Sequence, residues 1–259
     1  MSNVLLFNES IPDIGYYVRT TTAGKELEMV KRYVEYITSH YKRLKQKNAA
    51  IFIEPQLESR YPDIVIAEYY DKRCADTTSG ISLENWNDGR FKITSSDLKI
   101  LYYLQSNSGR TKKEISNVLG FPEEEVDTSL EHLNSCGLIM QSSIAKNKVR
   151  KVHLDKYCTI TNLIAIEAKI DKWGEAIRQA ENNRWFASES YILMNKTSIS
   201  ETNYNKCQRL GLGIILVNGK IEKHLKGDRR KFPISYGSLL FNEWIHKAIY
   251  LEEGVVLLK

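Results

Sequence analysis

Residues 163–172 read LIAIEAKIDK, an apolar, β-branched run with one acid and one base set inside it. Such a run predicts a buried strand. Glu167 and Lys169 stand two positions apart, so on a strand both side chains point to the same face. A carboxylate and an ammonium in so apolar a setting are costly without partners or a task. The competing reading is an ordinary same-face pair at an exposed sheet position.

The rest of the chain bounds what this strand can belong to. Its 259 residues allow one large domain or two small ones. With 42% hydrophobic and 27% charged residues, it has the composition of a globular chain able to bury a full core. The net charge of +5 is a mild basic excess, compatible with a polyanionic partner but not diagnostic of one. Cys74, Cys136, Cys158 and Cys207 are scattered and form no CxxC or Cys/His cluster. That argues against a zinc site or a disulfide framework and for reduced thiols. The histidines at 40, 132, 153, 224 and 246 lack metal-ligand spacing. No leader-like N-terminus and no membrane-length apolar run is seen, so a cytoplasmic location without a membrane partner is expected.

Upstream, residues 1–22 read as irregular, with 16–18 the one strand-like run. Residues 24–47 predict a helix, because Leu27, Val30, Val34, Ile37 and Tyr41 recur at spacings of three and four. Residues 49–55 and 63–70 read as strands, with Pro62 marking the entry to the second. Asp63 therefore opens that strand. Downstream of the opening stretch, residues 173–185 predict an amphipathic helix and 190–195 a strand. A helix at 201–210, a hairpin turning at Asn218-Gly219 and a helix at 237–250 complete the chain. The glycines at 211 and 213 lack a phosphate-loop pattern and read as a tight entry to the next strand.

Between the two halves the texture changes. Residues 74–92 are polar and read as a linker. Residues 93–157 read helix, helix, turn, third helix, then a β-ribbon. Thr111 with Glu114 forms a capping-box pattern, and Gly120 and Gly137 close the second and third helices. The order resembles a winged helix-turn-helix, including the closing GLI at 137–139 before the wing. Its basic charge sits in Lys112, Lys113, Lys146, Lys148, Arg150 and Lys151, the candidate DNA contacts. Its third helix carries Glu123, Glu124, Glu125, Asp127 and Glu131, a poor face for a phosphate-lined groove. Packing against a protein competes with DNA contact for that domain.

With the central segment set aside, the chain reads helix, strand, strand, strand, helix, strand. The strand ends carry Pro62-Asp63 and then Glu167-Ala168-Lys169. This resembles the PD-(D/E)XK, or restriction-endonuclease-like, nuclease superfamily. The spacing departs from the usual pattern, and the inserted domain accounts for most of the excess. The resemblance implies an α/β core, a mixed central sheet flanked by helices, made from residues 1–73 and 158–259 and interrupted by the winged helix.

It further implies a divalent-metal-dependent endonuclease acting on DNA. Asp63, Glu167 and the backbone carbonyl of Ala168 would hold Mg²⁺ or Mn²⁺, which take oxygen ligands. Lys169 would orient or help deprotonate the attacking water, or stabilise developing charge. An accessory acid from the first helix is best matched by Glu28, with Glu26 the alternative. Gln179 matches the polar residue on the helix that follows. DNA is the implied partner, within a homodimer or a larger defence, repair or transposition complex. The rival expectation is a non-catalytic DNA-binding or protein-interaction subunit built on the same fold.

Overall fold

The structure, a computed structural model, describes residues 4–19, 23–44, 47–58, 62–70, 92–105, 107, 109–141, 147–151, 157–251 and 256–257. In chain order the strands are β1 (Val4–Phe7), β2 (Asn48–Ile53), β3 (Ile64–Tyr69), β4 (Arg110–Thr111), β5 (Ile139–Gln141) and β6 (Lys148–Lys151). They continue with β7 (Ile160–Lys169), β8 (Glu189–Met194), β9 (Gly213–Asn218), β10 (Lys220–Leu225) and β11 (Val256–Leu257). The helices are α1 (Lys25–Arg43), α2 (Ser95–Gln105), α3 (Lys112–Leu119), α4 (Glu123–Ser135), α5 (Trp173–Asn182), α6 (Glu201–Leu210) and α7 (Tyr236–Leu251).

The chain divides into two units. The first comprises Met1–Tyr70, Ile160–Pro233 and Glu253–Lys259. Its mixed sheet runs β10-β9-β8-β7-β3-β2-β1, with the two-residue β11 added at the β1 edge. The strand with the acid and base is central: β7 pairs antiparallel with β3 and parallel with β8. Burial on both faces explains its nearly continuous apolar run. On one face α1 lays Met29, Val30, Tyr33 and Val34 against Ile51, Ile64, Ile66, Ile166 and Ala168. On the other, α5 and α6 cover Ile192, Met194, Ile214 and Leu216 with Ala176, Ile177, Ala180 and Cys207. The sheet flanked by helices is the α/β class expected. The N-terminal segment differs from expectation: residues 4–7 are a buried strand parallel to β2, not irregular chain. Four apolar residues in a row carry no periodicity by which to assign them. Residues 16 and 18 instead make isolated bridges to Ile11 and Pro55.

The second unit comprises Asp71–Thr159 and Ile234–Glu252. Helices α2, α3 and α4 surround a core of Leu98, Leu101, Ile115, Val126 and Leu133. The small sheet runs β4-β6-β5, antiparallel throughout. The Thr111–Glu114 capping box is present, and Gly120 caps α3 in the left-handed region at φ 71°. Helix α7 also belongs here, which corrects the expectation that all of 158–259 belongs to the first unit. The reason is packing. Leu239 joins the second unit's apolar cluster, and the buried Asn242 accepts the Thr159 backbone N–H at 2.9 Å. The expected linker at 74–92 lies outside the described residues, apart from Lys92.

Candidate functional site

The last antiparallel pair of β3 and β7 is Ile64 opposite Ile166, so the next positions outward are Asp63 and Glu167. The pleat alternates side chains, which turns both away from the α1 face that Ile64 and Ile166 occupy. Asp63, Glu167 and Lys169 are all buried, at 9%, 3% and 8% exposure. Such burial of three charged groups is sustained only by mutual pairing.

The pairing is dense. The Ala168 backbone N–H donates to Asp63 Oδ2 at 2.6 Å. Lys169 Nζ donates to the Ala168 carbonyl at 2.8 Å and to Glu26 Oε1 at 3.0 Å, and lies 3.8 Å from Asp63 Oδ2. Asn183 Nδ2 donates to Glu167 Oε1 at 2.5 Å. The Asp63 and Glu167 carboxyls lie close enough to act on each other's ionisation.

The electrostatics follow from these neighbours. Burial raises Asp63 above the usual carboxylate range, and Glu26 adds to this, against Lys169 and the Ala168 N–H. Burial and then the Asp63 charge raise Glu167 well above that range, against the Asn183 hydrogen bond and Lys169. For Lys169, burial acts to lower the pKa. The charges of Asp63, Glu26 and Glu167 outweigh it and hold the ammonium above its ordinary range.

The structure thus brings together Asp63, Glu167, Ala168 and Lys169. The accessory acid at Lys169 is Glu26; Glu28, the expected choice, is exposed. Two residues separate positions by about 200° around a helix, so only one of the pair can face the strand. Gln179 is half-buried on α5, and its Oε1 finds no partner among the described residues. Asn183 lies four residues beyond it, on the same helical face, and is the residue that touches Glu167. Nothing in the sequence singles out Asn183 except that same spacing from Gln179.

Glu54 is a further feature of this end of the sheet. Its N–H donates to the Asp63 carbonyl at 2.9 Å while its own backbone sits at φ 47°. A buried non-glycine residue in that region stores strain next to the site.

Two neighbouring buried carboxyls whose pKa values are raised are a donor set suited to a hard divalent cation, whose charge favours their ionised form. With the Ala168 carbonyl they supply oxygen only, the preference of Mg²⁺ and Mn²⁺. The set is small: among the described residues no group of three or more His, Cys, Asp or Glu side chains is arranged to hold a metal.

In the second unit, Lys112 is engaged by Asp127 and, at 3.8 Å, by Glu123, so part of the expected basic surface is spent on the acidic α4. Lys113 and Arg150 are exposed and Lys148 half-exposed. Lys146 and the Lys151 side chain lie outside the described residues. No helix among the described residues is long and apolar enough to cross a membrane. No protein-family model, curated protein or solved structure matches the chain.

Proposed function

We propose that the protein is a divalent-metal-dependent nuclease of the PD-(D/E)XK type, hydrolysing DNA phosphodiester bonds, with a winged-helix second unit. The observation that carries this reading is the convergence of Asp63, Glu167 and Lys169 at the ends of two neighbouring strands. Asp63, Glu167 and the Ala168 carbonyl would hold Mg²⁺ or Mn²⁺. When bound, the ion supplies Lewis acidity at the scissile phosphate and lowers the pKa of a coordinated water.

The chain's own residues do the rest. The Ala168 N–H and Asn183 fix the two carboxylates, so little reorganisation is needed on binding. Lys169, held protonated by its three carboxylate neighbours, serves as a fixed positive charge toward the phosphate oxygens rather than as a base. Glu26 and the Ala168 carbonyl aim that ammonium.

The test is cleavage of supercoiled plasmid DNA with about 1–10 mM Mg²⁺ or Mn²⁺, compared with EDTA. Metal-dependent nicking or linearisation is expected, lost by a factor of about 10² or more in Asp63→Asn and in Lys169→Met. Equal activity in both variants, or none in the wild type on any nucleic acid, contradicts it.

A second reading, a non-catalytic nucleic-acid-binding or protein-interaction subunit on the same scaffold, is favoured by the small number of metal-ligating carboxylates. Metal-independent DNA binding without cleavage is the result it predicts.

A further inference from the structure

A cavity of about 400 Å³ lies at the other end of the same strands. On β7 it is lined by Asn162 and Ile164, on β3 by Ile66 and Glu68, and on β8 by Glu189 and Tyr191. Asn162 precedes Glu167 by five residues, which at about 3.3 Å per residue sets it about 17 Å away, on the opposite sheet face. The cavity is therefore separate from the carboxylate pair.

Its walls are aromatic and its floor is an acceptor array. Tyr33, Tyr41 and Tyr191 are buried, and Tyr36 is 44% exposed at its mouth. The ring of Tyr191 lies where a Cβ on Gly213 would stand, 2.0 Å from its Cδ1, so the glycine is what lets this wall close. Glu189 accepts from Asn162 Nδ2 at 3.0 Å and from Tyr191 OH at 2.9 Å. That first bond fixes the Asn162 amide, and its Oδ1, in a residue only 2% exposed, has no hydrogen-bond donor among the described residues. A buried acceptor without a donor is costly, and this one lines a cavity.

The rim is cationic. Lys223 stands over the Tyr191 ring at 4.4 Å, and Lys226 and Arg229 line the same cavity. Burial holds Lys223 below the ordinary lysine range; Glu189 opposes this and the neighbouring Lys226 charge adds to it. These three cationic side chains, lining one cavity, suit an anionic ligand group.

We propose that this cavity is a binding site for a nucleoside monophosphate. The aromatic walls take the flat base, the Asn162 Oδ1 accepts from its N–H edge, and Lys223, Lys226 and Arg229 hold the phosphate. The volume lies within the roughly 300–1,000 Å³ range of small-molecule pockets. The proposal does not rest on the nuclease reading.

The experiment is isothermal titration of the full chain, in EDTA, with AMP, GMP, CMP and UMP, and with inorganic phosphate and adenosine as controls. At least one nucleotide binds below about 1 mM, and phosphate and adenosine bind about tenfold more weakly or not at all. Lys223→Glu and Tyr36→Ala, both at exposed positions, each weaken binding about tenfold or more, whereas Asp63→Asn leaves it unchanged. Absence of nucleotide binding at about 1 mM overturns the proposal. So does phosphate binding as tightly as the nucleotide, binding indifferent to the Lys223 and Tyr36 variants, or binding lost with Asp63.

Discussion

At the residue scale, the carboxyl pair carries a cost that the proposed metal site would offset. Asp63 and Glu167 both have pKa values raised mainly by burial. A carboxyl raised in the folded state binds its proton more tightly there than in the unfolded chain. Stability is then lost as pH rises from the ordinary carboxylate range through the raised value. In EDTA at pH 8, Glu167→Gln is therefore expected to raise Tm by about 2–4 °C, on the order of 1 kcal/mol. The gain shrinks toward about pH 4, in the ordinary carboxylate range, where the raised carboxyls ionise less. Thermal melts at the two pH values check this, and a lower Tm for the variant at both would contradict it.

Asn183 touches Glu167 and, under the proposed function, would position it. Asn183→Ala is expected to lower plasmid cleavage about tenfold. It should also move the acidic limb of the pH–rate profile upward, because the Asn183 hydrogen bond lowers the Glu167 pKa. An unchanged profile would assign it a packing role alone. The sequence made Glu167 and Lys169 legible because a strand's alternation fixes faces without any long-range knowledge. It left Glu26 and Glu28 open, although Glu26 stands four residues before Val30, whose side chain is buried. Asn183 was not legible, since an asparagine at a helix end has an ordinary local use in capping and turns.

At the element scale, β7 is defined by its neighbours. Its pairing with β3 was an expectation of the family resemblance, and the register sets Asp63, which opens β3, beside Glu167 near the end of β7. The β9–β10 hairpin at Asn218-Gly219 was readable from turn chemistry, and Gly219 sits at φ 68°. The reason for Gly213 was not readable, because it lies in another strand's side chain. Gly213→Ala puts a methyl group into the Tyr191 ring, which overlaps the site at 2.0 Å. A loss of about 2–4 kcal/mol in urea unfolding is expected, since both ring and strand are buried and neither can yield. A cost below about 0.5 kcal/mol would show that the ring moves aside without penalty.

At the scale of the whole molecule, two discontinuous units share one chain. The segment between β3 and β7 belongs to the second unit, and the two strands that flank it still pair as neighbours. The C-terminal helix was assigned to the wrong unit by sequence because nothing local in an apolar helix names its partner. Asn242, fully buried and bonded to Thr159, does. The second unit's charge also argues for a modest nucleic-acid contact, with Lys112 already engaged by Asp127 and Glu123. Lys148→Ala with Arg150→Ala is expected to lower the slope of log affinity against log salt by about 1–2, as phosphate contacts are lost. Fluorescence anisotropy on a duplex at several salt concentrations measures that slope. A slope that does not change would move the DNA contact elsewhere.

Central to the proposed function is a metal ion held between Asp63 and Glu167, displacing the proton that their raised pKa values favour. Anomalous diffraction from crystals soaked in Mn²⁺ tests it most directly. The account predicts a peak about 2.0–2.6 Å from a carboxylate oxygen of each residue, absent in Asp63→Asn. A wild-type crystal soaked in Mn²⁺ with no peak there would contradict it.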